Sequence, residues 1–167
     1  FAERVLEAEW TYRADSRGRV FSVQLADLDG DGVLEVVANR YNPNPSILMT
    51  SFVLTTKGGK PAVLVEDVGE ILLAVDVDGA GLKKTLWLQP FSQQGFFKKG
   101  EALRASIRNG KLVSEGRVRV PSAFRATGAA FASINGKDRR ALAFVDEFSR
   151  LQIAVETEDL WRSSALV

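Results

Sequence analysis

A short run of alternating carboxylates is the feature of this sequence best suited to chemistry. Asp27, Asp29 and Asp31 occupy every second position, and Glu35 follows after two glycines. Alternate side chains on a tight turn point inwards together, and glycine permits the backbone bends that such a turn needs. These four anionic groups repel one another strongly unless a cation is present. Calcium takes about six to eight oxygen ligands in a flexible shell. The run therefore predicts a calcium site.

The expected ligands of this site are side chains and one backbone group. Asp27, Asp29, Asp31 and Glu35 would supply carboxylate oxygens, and Val33 would supply its carbonyl. The alternative is an acidic turn that is only solvated, because Asp and Gly are common turn residues in any case. An EF-hand is excluded, since that loop needs a glutamate at its twelfth position and helices on both sides. Counted from Asp27, the twelfth residue is Ala38, and the flanking segments resemble strands.

The segments around the acidic run have the alternating pattern of β-strands. Phe21, Val23 and Leu25 alternate with polar or small residues, which is the period of a half-buried strand. Short apolar runs of the same kind continue to the end of the chain, and no window favours a long amphipathic helix. Asn109-Gly110 between two such runs predicts a tight hairpin, because both residues tolerate positive φ. The sequence therefore predicts an all-β protein.

An internal repeat divides these strands into units. The segment 26–32 (ADLDGDG) aligns with 75–81 (VDVDGAG) and, more weakly, with 132–138 (ASINGKD). The spacing is 49 and then 57 residues, counted at Asp29, Asp78 and Asn135. Such a period holds four short strands, which is one propeller blade. We predict a last strand of a preceding blade at 1–14 and antiparallel blades at 15–68, 69–121 and 122–167. The alternative is an antiparallel β-sandwich.

The first copy of the repeat resembles a known group of calcium loops. The segment 27–37 (DLDGDGVLEVV) is similar to the loop of FG-GAP/VCBS repeats, which form integrin-α-type propeller blades. The resemblance implies one structural Ca²⁺ held by Asp27, Asp29, Asp31, Val33 and Glu35. It also implies a non-catalytic interaction module with a protein or carbohydrate partner, in a secreted, periplasmic or outer-surface bacterial protein. Propellers close with about four or more blades, so we expect contacts with further blades or another chain.

The other two copies depart from that pattern. In the second copy Ala80 replaces the third carboxylate, and Lys84 stands where Glu35 stands in the first. In the third copy Lys137 brings its own cation to a ligand position. Too few oxygens remain for a calcium shell in either place. We therefore expect a single metal site.

The composition excludes several classes of function. The chain has 46% hydrophobic and 26% charged residues with a net charge of +1, as expected of a globular domain without a general attraction to nucleic acid. It contains no His and no Cys, so Ser-His-Asp and thiolate chemistry are unavailable. We expect no enzymatic activity. Phe1 stands where an initiator Met would be, so we expect an excised piece whose membrane association, if any, depended on a missing anchor.

A local excess of basic residues supports the alternative function. Segment 98–125 has eight basic and two acidic residues, an excess of +6. It would then be a ligand-processing domain, or one that binds anionic ligands or nucleic acid by charge and stacking. The simpler interpretation is the solvent face of an edge strand, where charges discourage aggregation. Two loops, Tyr41 to Pro45 and Phe91 to Phe97, offer aromatic recognition surfaces or, more simply, turns and packing.

Overall fold

A computed structural model describes residues 10–13, 18–42, 44, 48–76, 83–92, 97–134, 139–157 and 160–165. Within these residues the protein is all-β, as the sequence predicts, and its one helical segment is a 3-10 turn at Ala126–Gly128. The described part contains no helix that is long and apolar enough to cross a membrane. Trp10–Arg13 is not in a strand, and the rest of the predicted strand at 1–14 lies outside the described residues.

The strands form three open, four-stranded antiparallel sheets, and in each sheet the strands follow one another in chain order. The first sheet contains β1 (Arg19–Ala26), β2 (Glu35–Tyr41), β3 (Met49–Thr55) and β4 (Ala62–Val68). The second contains β5 (Ile71–Val75), β6 (Thr85–Gln89), β7 (Glu101–Arg108) and β8 (Lys111–Arg119). The third contains β9 (Ala129–Ile134), β10 (Arg139–Val145), β11 (Leu151–Thr157) and β12 (Leu160–Ala165).

Turn chemistry fixes the register of the hairpin that the sequence predicts most clearly. Asn109 and Gly110 join β7 to β8 with φ angles of 52° and 70°. Positive φ at both central residues matches the right-handed twist of the flanking strands. Arg108 consequently pairs with Lys111, and the predicted Asn-Gly hairpin is confirmed.

Strand β5 lies at the centre of the hydrophobic packing. Its five residues are all buried, which explains its continuous apolar sequence ILLAV. Leu72 and Ala74 join a core with residues of the first sheet, such as Val37 and Val53. The alternate residues of β5 join a second core with Phe131, Leu142 and Phe144 of the third sheet. The three sheets are therefore stacked against one another, with the middle sheet buried on both faces at β5.

A buried side-chain amide joins the first sheet to the second. Asn39 on β2 is fully buried, and its Nδ2 donates to the carbonyl of Leu72 at 3.0 Å. The Leu72 N–H donates in return to Asn39 Oδ1 at 2.9 Å. Gln24 on β1 accepts from the Ala74 N–H at 2.9 Å. These amides satisfy the edge of β5 that faces away from β6.

A second buried side-chain amide, that of Gln89, joins the second sheet to the linker that leads into the third sheet. Gln89 ends β6 and is 1% exposed. Its Nε2 donates to the carbonyl of Phe124 at 2.9 Å, and its Oε1 accepts from the Ala126 N–H at 2.8 Å. The linker before β9 is thus fixed on the second sheet by hydrogen bonds as well as by Phe124, which is fully buried against Phe144.

The Asn39 amide should be essential for stability. Asn39→Leu leaves the buried Leu72 N–H without its acceptor, so the free energy of unfolding should fall by about 2–3 kcal/mol. Urea unfolding would show a lower midpoint with an unchanged slope. Ser114→Ala on the exposed strand β8 is the control and should change neither. A wild-type midpoint for Asn39→Leu would contradict this role.

Candidate metal site

The acidic loop connects β1 to β2, and strand pairing brings its two ends together. Ala26 is the register partner of Glu35, so Asp27 and Glu35 start and close the loop side by side. Gly30 and Gly32 have φ angles of 78° and 85°, which side chains would disfavour. The two glycines therefore allow nine residues to fold back over the end of the hairpin.

Three of the predicted ligands lie close together. Asp27, Asp29 and Glu35 each offer a carboxylate oxygen, and these three oxygens lie within 4.8 Å of one another. Asp27 and Glu35 are each 2% exposed, whereas Asp29 faces solvent. The arrangement is a pocket of anionic oxygens that is closed on the protein side and open on the solvent side.

One oxygen of this cluster is buried without a hydrogen bond. Asp27 Oδ1 has no partner in the described part of the protein. A buried, unpaired carboxylate oxygen costs free energy, and a bound cation would remove that cost. The donor set consists only of carboxylate oxygens, which are the ligands that hard cations such as calcium prefer. The three carboxylates therefore suit a hard metal ion.

The fourth predicted carboxylate is turned towards a lysine. Asp31 Oδ2 accepts from Lys57 Nζ at 2.6 Å, and its Oδ1 accepts from the Val33 N–H at 2.8 Å. The hydrogen bond from Lys57, followed by the one from Val33, lowers the pKa of Asp31, and the same contact raises the pKa of Lys57. Asp31 consequently lies apart from the cluster of Asp27, Asp29 and Glu35 in this structure.

Burial and neighbouring negative charges disfavour the ionised form of Glu35. Burial raises its pKa above the ordinary value, and the hydrogen bond from the Leu28 N–H at 2.7 Å opposes that rise. The negative charges of Asp29, Asp31 and Asp27 raise the pKa further. Ionised Glu35 is therefore a source of unfavourable free energy in the metal-free loop.

The remaining predicted positions divide into those that are described and those that are not. Val33 lies in the loop, where its N–H donates a hydrogen bond to Asp31 Oδ1. Of the second repeat copy, Asp76 is buried at the end of the hairpin strand β5, and 77–82 lie outside the described residues. The third copy includes the end of β9, and 135–138 are likewise outside. Lys84 extends from the second sheet towards the first loop, with its Nζ 4.0 Å from the position that a Gly30 Cβ would take.

Six of the eight basic residues of segment 98–125 are paired by shared carboxylates. Lys98 and Arg117 share Glu101, and Arg104 and Arg108 share Glu115. Lys99 and Arg125 share a third carboxylate, which comes from Glu147, outside the segment. Strand β8, with Arg117 and Arg119, is the exposed edge of its sheet.

The adjacent carboxylates Asp146 and Glu147 lie at a turn after β10 and face different partners. Asp146 faces inwards and accepts hydrogen bonds within its own turn, from Phe148, Arg150 and Gln152. Burial alone would raise the pKa of Asp146, but these bonds together lower it to about 2. Glu147 is half-exposed and faces Arg125. Sequence reasoning did not predict that Lys99, Arg125 and Glu147 meet here. The signals it offered were the basic excess of segment 98–125 and the neighbouring aromatic loops.

Comparison of the chain with protein-family models finds no match, and comparison with curated proteins finds none either.

The like charges around Glu35 lead to opposite predictions for Glu35→Gln in chelator and in calcium. In chelator, Glu35→Gln should stabilise the protein near neutral pH, because it removes a buried charge while its amide oxygen still accepts from Leu28. A raised pKa means that the folded state holds the proton more tightly, so wild-type stability falls as pH rises above the ordinary value of 4.5. The difference in melting temperature between Glu35→Gln and wild type should therefore shrink towards about pH 4.

The same substitution should abolish stabilisation by added calcium, since the site loses a carboxylate. Asp27→Asn, which also removes a charge at the cluster, provides the matched comparison. A Glu35→Gln protein that is less stable than wild type in chelator at neutral pH would contradict the charge argument.

Proposed function

We propose that this protein is a non-catalytic, calcium-binding module built from β-propeller blades, which serves interaction with a protein or carbohydrate partner. The observation that carries the calcium assignment is the buried, unpaired oxygen of Asp27 beside the carboxylates of Asp29 and Glu35. A solvated acidic turn would not require a buried carboxylate without a partner. The resemblance of the loop to FG-GAP/VCBS repeats supports the same assignment.

The blade assignment is supported by the way the sheets are built. Each sheet is a four-stranded antiparallel meander, and consecutive sheets pack through apolar faces. This is how the blades of a propeller are formed and stacked. Three blades are fewer than a propeller needs for closure. We propose that further blades, from a longer chain or from another chain, complete the ring.

The non-catalytic assignment is supported by the chemistry available. The chain has no His or Cys, and the buried carboxylate of Asp146 is engaged by its own turn. Its lowered pKa makes Asp146 a poor general base near neutral pH. The proposed location, secreted, periplasmic or at the outer surface of a bacterium, is supported only by the resemblance of the loop.

Calcium would act by holding the loop in place. The register pairing of Ala26 with Glu35 already brings Asp27 close to Glu35, so the ion would need to draw in Asp29 and, by releasing Lys57, Asp31. An ion that binds the folded loop and not the unfolded chain stabilises the fold by linkage.

Calcium should therefore raise the melting temperature. At about one hundred times the dissociation constant the stabilisation is about 2.7 kcal/mol, or roughly 5–10 °C for a chain of this size. Differential scanning fluorimetry in chelator and in calcium measures this shift in melting temperature. Asp29→Ala should remove the response, and Glu66→Ala, an exposed carboxylate on β4, should retain it. The absence of any heat of calcium binding by calorimetry at millimolar concentration would overturn the proposal.

Lys57 should compete with calcium for Asp31. Its ammonium group lies 2.6 Å from Asp31 Oδ2, and its side chain is 65% exposed. Because exposed ion pairs contribute only about 0–1 kcal/mol, Lys57→Met should tighten calcium binding by about threefold. Calorimetric titration measures this change. Lys60→Met, in the same turn, is the control and should leave the affinity unchanged. Weaker binding by Lys57→Met would show that Lys57 supports the site.

A further inference from the structure

A cleft of about 740 Å³ opens at the end of the β1–β2 hairpin opposite the acidic loop. All three sheets contribute to it, through strand ends, the segment before β7, the linker before β9 and the turn after β10. We call it the three-sheet cleft. Its lining includes Phe21, Tyr41, Phe97, Lys99, Arg125 and Glu147. Its volume is in the range of small-ligand sites, about 300–1,000 Å³.

Arg125 is a fixed cation in the wall of this cleft. The residue is 9% exposed, and its Nη1 donates to the carbonyl of Phe124 at 2.8 Å. Gln89 binds the same carbonyl, so the amide that joins the sheets also holds the arginine. The guanidinium lies 5.4 Å from the centre of the Phe97 ring. Such a preorganised guanidinium is suited to planar carboxylates.

The cleft has more cations than its own carboxylates neutralise. Arg125 Nη2 lies 3.1 Å from Glu147 Oε2, and Lys99 Nζ lies 3.7 Å from Glu147 Oε1. The other acid of the lining, Asp146, is paired with Arg150 at 2.9 Å. Two cations thus share the single carboxylate of Glu147, whose side chain is 43% exposed. Glu147 occupies the place that the carboxylate of a ligand would take.

An aromatic platform lies in the same cleft. The rings of Phe21 and Tyr41 are 4.7 Å apart at their centres, and Tyr41 is 53% exposed. An exposed tyrosine offers an apolar face and a hydroxyl that can bind hydrogen-bonding groups. A ligand with both a carboxylate and a ring-like body that is apolar on one face would use the cations and the platform together.

The positive surface continues beyond this cleft. Lys99 also lines a neighbouring cavity of about 600 Å³ together with Arg117 and Arg119. Among the described residues Arg119 has no ion-pair partner. A ligand that repeats its carboxylate along a chain would contact both cavities, which favours an oligomeric acid over a single small acid.

We infer that the three-sheet cleft binds an acidic saccharide, with the carboxylate of a uronic acid unit on Arg125 and Lys99 and its ring on Tyr41. This inference rests on the proposed interaction role, for which it names the ligand class, but it does not rest on calcium. Glu147 acts as an internal competitor that leaves when the saccharide enters.

The test is a titration of the intact chain with galacturonic acid trimer, its monomer and the uncharged galactose trimer. Calorimetry should show binding of the acidic trimer at least about tenfold tighter than of the neutral one, because of the charge-assisted bonds to Arg125 and Lys99. The monomer should bind more weakly than the trimer. Binding should weaken with added salt, as expected of partly exposed charges.

Two substitutions should move the affinity in opposite directions. Lys99→Gln should weaken acidic-trimer binding about tenfold, and Glu147→Gln should tighten it about threefold, because it frees both cations. Tyr41→Ala should also weaken binding. Lys99 and Tyr41 are exposed, so these variants should fold, and a wild-type melting temperature would verify it. Lys111→Gln, a basic residue of the β7–β8 turn, is the control and should bind as wild type does.

The following outcomes would overturn the inference: equal affinity for the neutral trimer, no response to Lys99→Gln and Tyr41→Ala, or weaker binding by Glu147→Gln. Tighter binding of a single-stranded oligonucleotide than of the acidic trimer would also overturn it. The titration is performed in chelator as well as in calcium. Saccharide binding by a protein whose melting temperature does not respond to calcium would refute the calcium proposal alone. A melting temperature that rises with calcium, without any saccharide binding, would refute this inference alone.

Discussion

The structure depends on how the edge of β5 is satisfied. A strand at the edge of a sheet has a row of N–H and carbonyl groups without partners, and burying them unpaired would cost several kcal/mol. Here β5 is fully buried, and Asn39 and Gln24 bind the groups that β6 does not reach. The first two sheets can therefore pack directly against each other through buried apolar residues.

Buried side-chain amides also position both candidate sites, the acidic loop and the three-sheet cleft. Asn39 holds β2 against β5, and β2 carries Glu35 at one end and Tyr41 at the other. Gln89 holds the linker before β9, and that linker carries Arg125. Side-chain amides can donate and accept at once, so one residue fixes two backbone groups. The strands and these buried amides thus hold the loop, linker and turn that carry most of the charged groups.

The sequence predicted what short-range chemistry decides. Alternation indicated the strands, and Asn109-Gly110 fixed a hairpin because both residues tolerate positive φ. The spacing of Asp27, Asp29 and Glu35 correctly indicated carboxylates that lie together, since the strand register of Ala26 and Glu35 closes the loop. These features need no knowledge of distant residues.

The features that the sequence did not predict depend on distant partners. Asp31 pairs with Lys57, which is 26 positions away, so it is not part of the carboxylate cluster that the spacing predicted. Glu147 pairs with Arg125 across 22 positions and neutralises part of a basic surface that otherwise suggests nucleic acid. A repeat spacing cannot reveal which side chains of two different sheets meet, because the packing angle between sheets decides it.

The position of the two sites on one hairpin limits how they affect each other. The acidic loop and Tyr41 lie at opposite ends of β2, whose strand pairs with β1 and β3 along its length. Coupling between two sites requires an element with two arrangements that each ligand favours differently. A central strand bonded on both sides and fixed by the amide of Asn39 offers no second arrangement in this structure. Calcium at the loop would therefore raise the free energy of unfolding of the whole domain, while the affinity of the cleft would remain set by its own residues Tyr41, Lys99, Arg125 and Glu147.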